Sequence, residues 1–127
     1  MAGFVLAIDQ GTTGSTVALM DDRGTVRAAV NHEFTQIYPK PGWVEHNPAD
    51  IWASVEKGIA AILRKRICKV GDIAAIGITN QRETALLWDR KSGEALNNAV
   101  VWQCRRTTDF CESLRSAGHE KTVKRKS

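Results

Sequence analysis

Apolar and polar positions fall in blocks along this chain, and the first two blocks set its character. An apolar run over residues 4–8 ends in Asp9-Gln10-Gly11-Thr12-Thr13-Gly14-Ser15, and a second apolar run over 17–20 leads away. That pattern predicts a strand, a tight turn and a strand. Asp21-Asp22-Arg23-Gly24 marks another turn. Residues 25–34 then alternate, with Val26, Ala28, Val30, His32 and Phe34 on one face, which predicts a third strand. His32 on that apolar face reads as a packed or edge histidine rather than a ligand.

Punctuation changes over residues 36–45, where Tyr38-Pro39-Lys40-Pro41-Gly42-Trp43 combines two prolines and a glycine with aromatic anchors. A structured loop is expected there. Asn47-Pro48-Ala49-Asp50 carries the marks of a helix start, with Asn47 as cap, Pro48 in the first helical position and Asp50 in the first turn. Ile51, Val55, Ile59 and Ile62 recur at near-helical spacing, and Arg64, Lys65 and Arg66 crowd the last turn, where cations suit the helix dipole. This helix should lay its apolar stripe on a sheet.

The continuous apolar run at residues 73–78 predicts a central strand covered on both faces. It delivers six polar residues, Thr79-Asn80-Gln81-Arg82-Glu83-Thr84. Further strands are expected at 85–88 and 98–102, and a helix at 106–116 on the strength of Phe110, Cys111 and Leu114, with Gly118 to stop it. Residues 119–127 have no packing pattern. The organisation expected is a folded part over 1–118 and a basic, disordered tail over 119–127. Three meandering strands, a helical crossover and another strand describe an α/β mixed sheet flanked by helices.

Composition adds few constraints but removes some classes. A hydrophobic content of 43% with 25% charged residues suits a globular domain, and no apolar stretch approaches the roughly 20 residues of a membrane span. A basic-then-apolar leader pattern is missing at the N-terminus, so the cytoplasm is the expected compartment. The net charge of +4 hints at nucleic acid until it is located: Lys121, Lys124, Arg125 and Lys126 hold the excess. The body is neutral, and neither nucleic acid nor a membrane is expected as a partner. Cys68, Cys104 and Cys111 include no C-x-x-C pair and are expected as reduced thiols, Cys104 and Cys111 packed near a helix start.

Two polar patches carry candidate chemistry. Gly11, Thr12, Thr13 and Gly14 form a turn whose consecutive N–H groups and small hydroxyls suit a polyphosphate. Asp9 at the strand end would hold a divalent cation, since Mg²⁺ needs only one or two carboxylates beside phosphate oxygens and water. A plain Gly-rich hairpin is the competing reading. Arg82 offers a rigid fork of donors and Glu83 an acceptor, a pairing suited to vicinal hydroxyls. Its competitor is a solvated turn with a surface ion pair.

Four separated stretches favour the sharper readings. DQGTT at 9–13, YPKPGWVEHNP at 38–48, IAAIGITNQRET at 73–84 and NAVVWQCRRT at 98–107 resemble, in order, the N-terminal part of the glycerol kinases, in the carbohydrate-kinase family named for its FGGY motif. The resemblance implies a ribonuclease-H-like, actin-like ATPase fold and ATP-dependent phosphorylation of glycerol to glycerol 3-phosphate, with Mg²⁺. It places Asp9 near the metal, Gly11, Thr12 and Thr13 at the nucleotide phosphates, and Arg82, Glu83 and Trp102 around glycerol. Where the family usually reads DQGTTSSR, Gly14 and Thr16 replace a serine and a phosphate-contacting arginine. The family's catalytic-base aspartate and adenosine-binding domain have no counterpart in 127 residues. The chain is therefore expected to be an N-terminal fragment with an incomplete first domain, its end at 121–127 fitting a broken reading frame. Such a fragment would be inactive alone, and a second copy or a complementary C-terminal chain is the partner expected. A kinase for a related polyol or sugar is the other reading.

Overall fold

Leu6 and Ile8 on β1 (Phe4–Gln10) and Val17 and Leu19 on β2 (Gly14–Met20) are nearly inaccessible to solvent and form the centre of the core. Their spacing of two places them on one face of an antiparallel pair, in which Ile8 lies opposite Val17 and Leu6 opposite Leu19. β3 (Val26–Glu33) adds antiparallel to β2, with Val17 opposite Val30. The computed structural model describes residues 3–126, and this meander is its best-packed part.

α1 (Pro48–Arg64) covers the meander. The Asn47 side chain accepts a hydrogen bond from the Ala49 N–H at 3.0 Å, so the expected cap is present, and Pro48 costs the first turn no bond. The helix buries Val55 and Ile62 on the core. Gly58 makes the close approach possible: a Cβ there would meet Val17 Cγ2 at 2.5 Å. Beside it, the Ser54 hydroxyl bonds the Ser15 hydroxyl at 2.7 Å, and this buried pair pins the helix to β2. His32 is half-buried near Gly58, a packed histidine as expected.

From α1 the chain passes a single 3₁₀ turn (Val70–Asp72) into β5 (Ile73–Asn80), which pairs parallel to β1. The sheet order is β3-β2-β1-β5. β5 is thus an edge strand, not the central one expected. Ile76 and Ile78 are 58% and 72% exposed, because among the described residues β1 is the only neighbour and α1 sits over the meander. The apolar run reported affinity for burial correctly but not whether this chain supplies the cover.

A second, two-stranded sheet pairs β4 (Glu45–His46) with β6 (Ala99–Val100). β4 lies at the end of the expected loop, and β6 is a shorter form of the strand expected at 98–102. Residues 85–88 make only single bridges, Ala85 with Val100 and Trp88 with Ala95. Leu87 and Trp88 stay exposed, so no second layer extends those bridges into a ladder. α2 (Thr108–Ser116) starts two residues late, buries nothing and leaves Cys111 exposed, contrary to the expected packing. The tail expected to be disordered is a helix, α3 (Glu120–Lys126), steadied by a Glu120–Lys124 pair one turn apart and by basic residues in its last turn. It too buries no residue, in keeping with its lack of an apolar stripe.

Candidate active site

Because β1 and β5 are parallel neighbours, their C-terminal ends open on the same edge of the sheet, where α/β folds present ligand groups. The turn after β1 therefore faces the turn after β5. Thr12, Gln81, Arg82, Glu83 and Trp102 line one hollow there, of about 250 Å³. Three residues singled out for polyol contact and one for phosphate contact thus come together.

Trp102 joins the two groups. Its indole Nε1–H donates to Thr12 Oγ1 at 3.1 Å, which leaves the threonine hydroxyl proton directed away from the indole and available to an acceptor. Arg82 and Glu83 are exposed, and no hydrogen bond or ion pair engages either side chain among the described residues. The competing surface ion pair is therefore not formed. Glu83 has a φ of 59°, in the left-handed region that a non-glycine residue enters at a cost of about 1–2 kcal/mol. Such strain concentrates at ligand sites.

The glycines of the first turn do less for a ligand than their composition suggests. Gly11 donates its N–H to the Gly14 carbonyl at 2.9 Å, which closes the turn and removes that amide from ligand duty. Gly14 is required by β3, since a Cβ there would lie 2.7 Å from the His32 carbonyl oxygen. Among the described residues the Thr12 and Thr13 amides have no protein acceptor and stay available.

Asp9 lies apart, on the sheet face opposite Ile8 and α1, in a shallow hollow with Thr16, Gly77 and Thr79. Nothing engages its exposed carboxylate among the described residues, which suits a cation held chiefly by phosphate and water. No group of three or more His, Cys, Asp or Glu side chains that could hold a metal by itself occurs among those residues. Thr16, in the arginine's position, accepts from Asn31 Nδ2 of β3 at 2.9 Å.

Beneath the turns lies a layer that pattern reading missed. Gln36 Nε2 donates to the Thr12 carbonyl at 3.1 Å, while Gln36 Oε1 sits 2.6 Å from His46 Nε2, and His46 Nδ1 sits 3.2 Å from Gln81 Nε2. His46 is fully buried, and burial pushes its pKa below the usual histidine value. These residues stand far apart in sequence without periodicity, so only the fold could connect them. Farther out, Arg106 binds Glu45 at 2.6 Å, stacks 4.0 Å from the centre of the Trp43 ring and donates to Cys104 Sγ. Hydrogen bonds from Arg106 and then Asn98 hold the Glu45 carboxyl below its ordinary range.

The model for the N-terminal domain of the FGGY family of carbohydrate kinases matches residues 4–127. The chain belongs to that family. That match runs through α3. Glycerol kinase of Caldanaerobacter subterraneus subsp. tengcongensis is 50% identical over 126 residues, which cover 99% of this chain and 25% of that enzyme. Glycerol kinase of Bdellovibrio bacteriovorus is 52% identical over 123 residues, 97% of this chain and 25% of that enzyme. The chain spans about a quarter of the length of the curated relatives it matches.

Solved FGGY structures share the fold. Plasmodium falciparum glycerol kinase with ADP superposes with a TM-score of 0.82 at 33% identity, over 91% of this chain and 23% of that one. Gluconate kinase from Lactobacillus acidophilus gives 0.88 at 24% identity, over 98% and 25%. The mixed α/β sheet expected from the sequence, actin-like in type, is the sheet observed.

Proposed function

We propose that this chain forms the phosphate-holding and polyol-reading side of an ATP-dependent kinase that converts glycerol to glycerol 3-phosphate. One observation carries the reading: Thr12, Arg82, Glu83 and Trp102, drawn from three separate turns, line a single hollow. Arg82 would donate to one glycerol hydroxyl, Glu83 would accept from another, and the Trp102 face would cover the carbon backbone. Thr12 and Thr13 would hold nucleotide phosphates through amides and hydroxyls. Asp9 would steer Mg²⁺, which supplies charge neutralisation on the phosphates when bound. These groups bind and orient; a base for the substrate hydroxyl must come from outside them. The cytoplasm, where ATP is available and the three free thiols stay reduced, is the compartment proposed.

A second statement follows from the exposed side. Ile76, Ile78, Leu86, Trp52 and Trp88 line an apolar hollow of about 730 Å³ between α1 and β5. We propose that a complementary C-terminal portion, as present in the longer relatives, covers it and completes the enzyme. Mixing the purified chain with the separately produced remainder of the Caldanaerobacter glycerol kinase tests both statements. Glycerol-dependent ADP release is expected only from the mixture, and Glu83→Gln should lower it about tenfold or more, the worth of one charge-assisted hydrogen bond. Turnover by the chain alone would sink the second statement, and equal release with gluconate or xylulose in place of glycerol would sink the first.

A further inference from the structure

We propose that His46 is a positioning residue: through a directional hydrogen-bond relay, Gln36–His46–Gln81, it fixes the Thr12 turn relative to the Gln81-Arg82-Glu83 turn. Direction comes from one end. Gln36 Nε2 faces two backbone carbonyls, Thr12 O at 3.1 Å and Phe34 O at 3.3 Å, and carbonyls accept only, so the amide cannot be flipped without setting oxygen against oxygen. Gln36 Oε1 therefore accepts from the imidazole, which makes His46 the Nε2–H tautomer at 2.6 Å. Nδ1 is then a bare acceptor, and Gln81 must present its Nε2–H to it at 3.2 Å. Each step dictates the next.

Three further facts make this a device rather than filler. His46 has no exposed surface, and Phe34 meets its ring edge-on at 5.0 Å and 74°, so the imidazole has little room to rotate. Gln81 is 91% buried, and among the described residues Gln81 Oε1 has no partner, so the bond to His46 is the one that orients that side chain there. The two ends of the relay are the turns whose side chains share the small hollow. The functional weight of the link rests on the glycerol kinase reading above, whereas its geometry does not.

Imidazole and amide NMR of the ligand-free 127-residue chain tests it. A single Nε2–H tautomer is expected for His46 in the wild type; an Nδ1–H form or a mixture would overturn the relay without any variant being made. In Gln36→Leu the fixed tautomer should be lost and the Arg82 and Glu83 amide resonances should shift, although the substitution lies at the opposite end. In Gln81→Leu the tautomer should persist, because Gln36 still sets it, while Arg82 and Glu83 move. A folded Gln36→Leu chain with tautomer, Arg82 and Glu83 unchanged would overturn the proposal. Titrating glycerol into the same samples separates the two readings: a missing response of Trp102 and Arg82 with the relay outcomes intact removes the substrate assignment and leaves the link standing.

Discussion

The sheet has one side that this chain finishes and one that it does not. Under α1, Val17, Leu19 and Ile62 are at most 1% exposed, and a missing Cβ at Gly58 sets the helix-to-sheet distance. Around β5, isoleucines of the same chemical kind lie in solvent, and Gly77 has nothing within 4 Å of where a side chain would begin. Equal hydrophobicity therefore gives unequal stability, because transfer energy is gained only where another surface excludes water. The proposed ligand groups sit at the border, with their turns anchored from the finished side and opening toward the unfinished one.

The largest test of this contrast exchanges isoleucines. Ile62→Ala is expected to cost about 3 kcal/mol in denaturant unfolding, the usual penalty for a buried cavity. Ile78→Ala should stay within about 0.5 kcal/mol, and a comparable loss at both positions would break the comparison. Next come the glycines. Gly58→Ala should cost about 1–3 kcal/mol by driving a methyl into Val17, despite alanine's better helix propensity, while Gly77→Ala should be near neutral.

A smaller effect of opposite sign is expected at the border. Glu83→Gly removes the left-handed strain and should raise stability by about 1 kcal/mol in the same assay, while abolishing the glycerol response proposed for that carboxylate. The smallest effect is carried by one proton. Burial lowers the His46 pKa, so its contribution to stability is present above the ordinary histidine value and declines as pH falls through the lowered one. Thermal unfolding from pH 7 downward should show this decline in the wild type and not in a folded His46→Phe chain.

Much of this was legible in the sequence because it is local. The Asn47 cap, the stripe Val55-Ile59-Ile62 and the alternation Leu6-Ile8 each state their structure within a few residues, and each is present. The four motifs, by resemblance, put Thr12 at phosphate and Arg82, Glu83 and Trp102 around a polyol, and the fold lines one hollow with all four. What could not be read depends on contacts across the chain. The run at Ile76 and Ile78 asks for cover, and a burial preference is silent on whether cover follows. His46 sits beside a helix cap with no apolar periodicity, and its link to Gln81 exists only once β4 has been folded under the turns. Gly14 looked like phosphate chemistry, and the need for glycine there against the β3 carbonyl could not be seen.

The parallel pairing of Phe4 with Ile73 and of Asp9 with Thr79 has a consequence for how the protein is made. The first strand leaves the ribosome before its parallel neighbour β5, which follows the meander and the long helix. Until then the β5-facing edge of β1 has its backbone groups unpaired. The hairpin and helix can form during that interval, and the facing of the two turns must wait for β5 to dock.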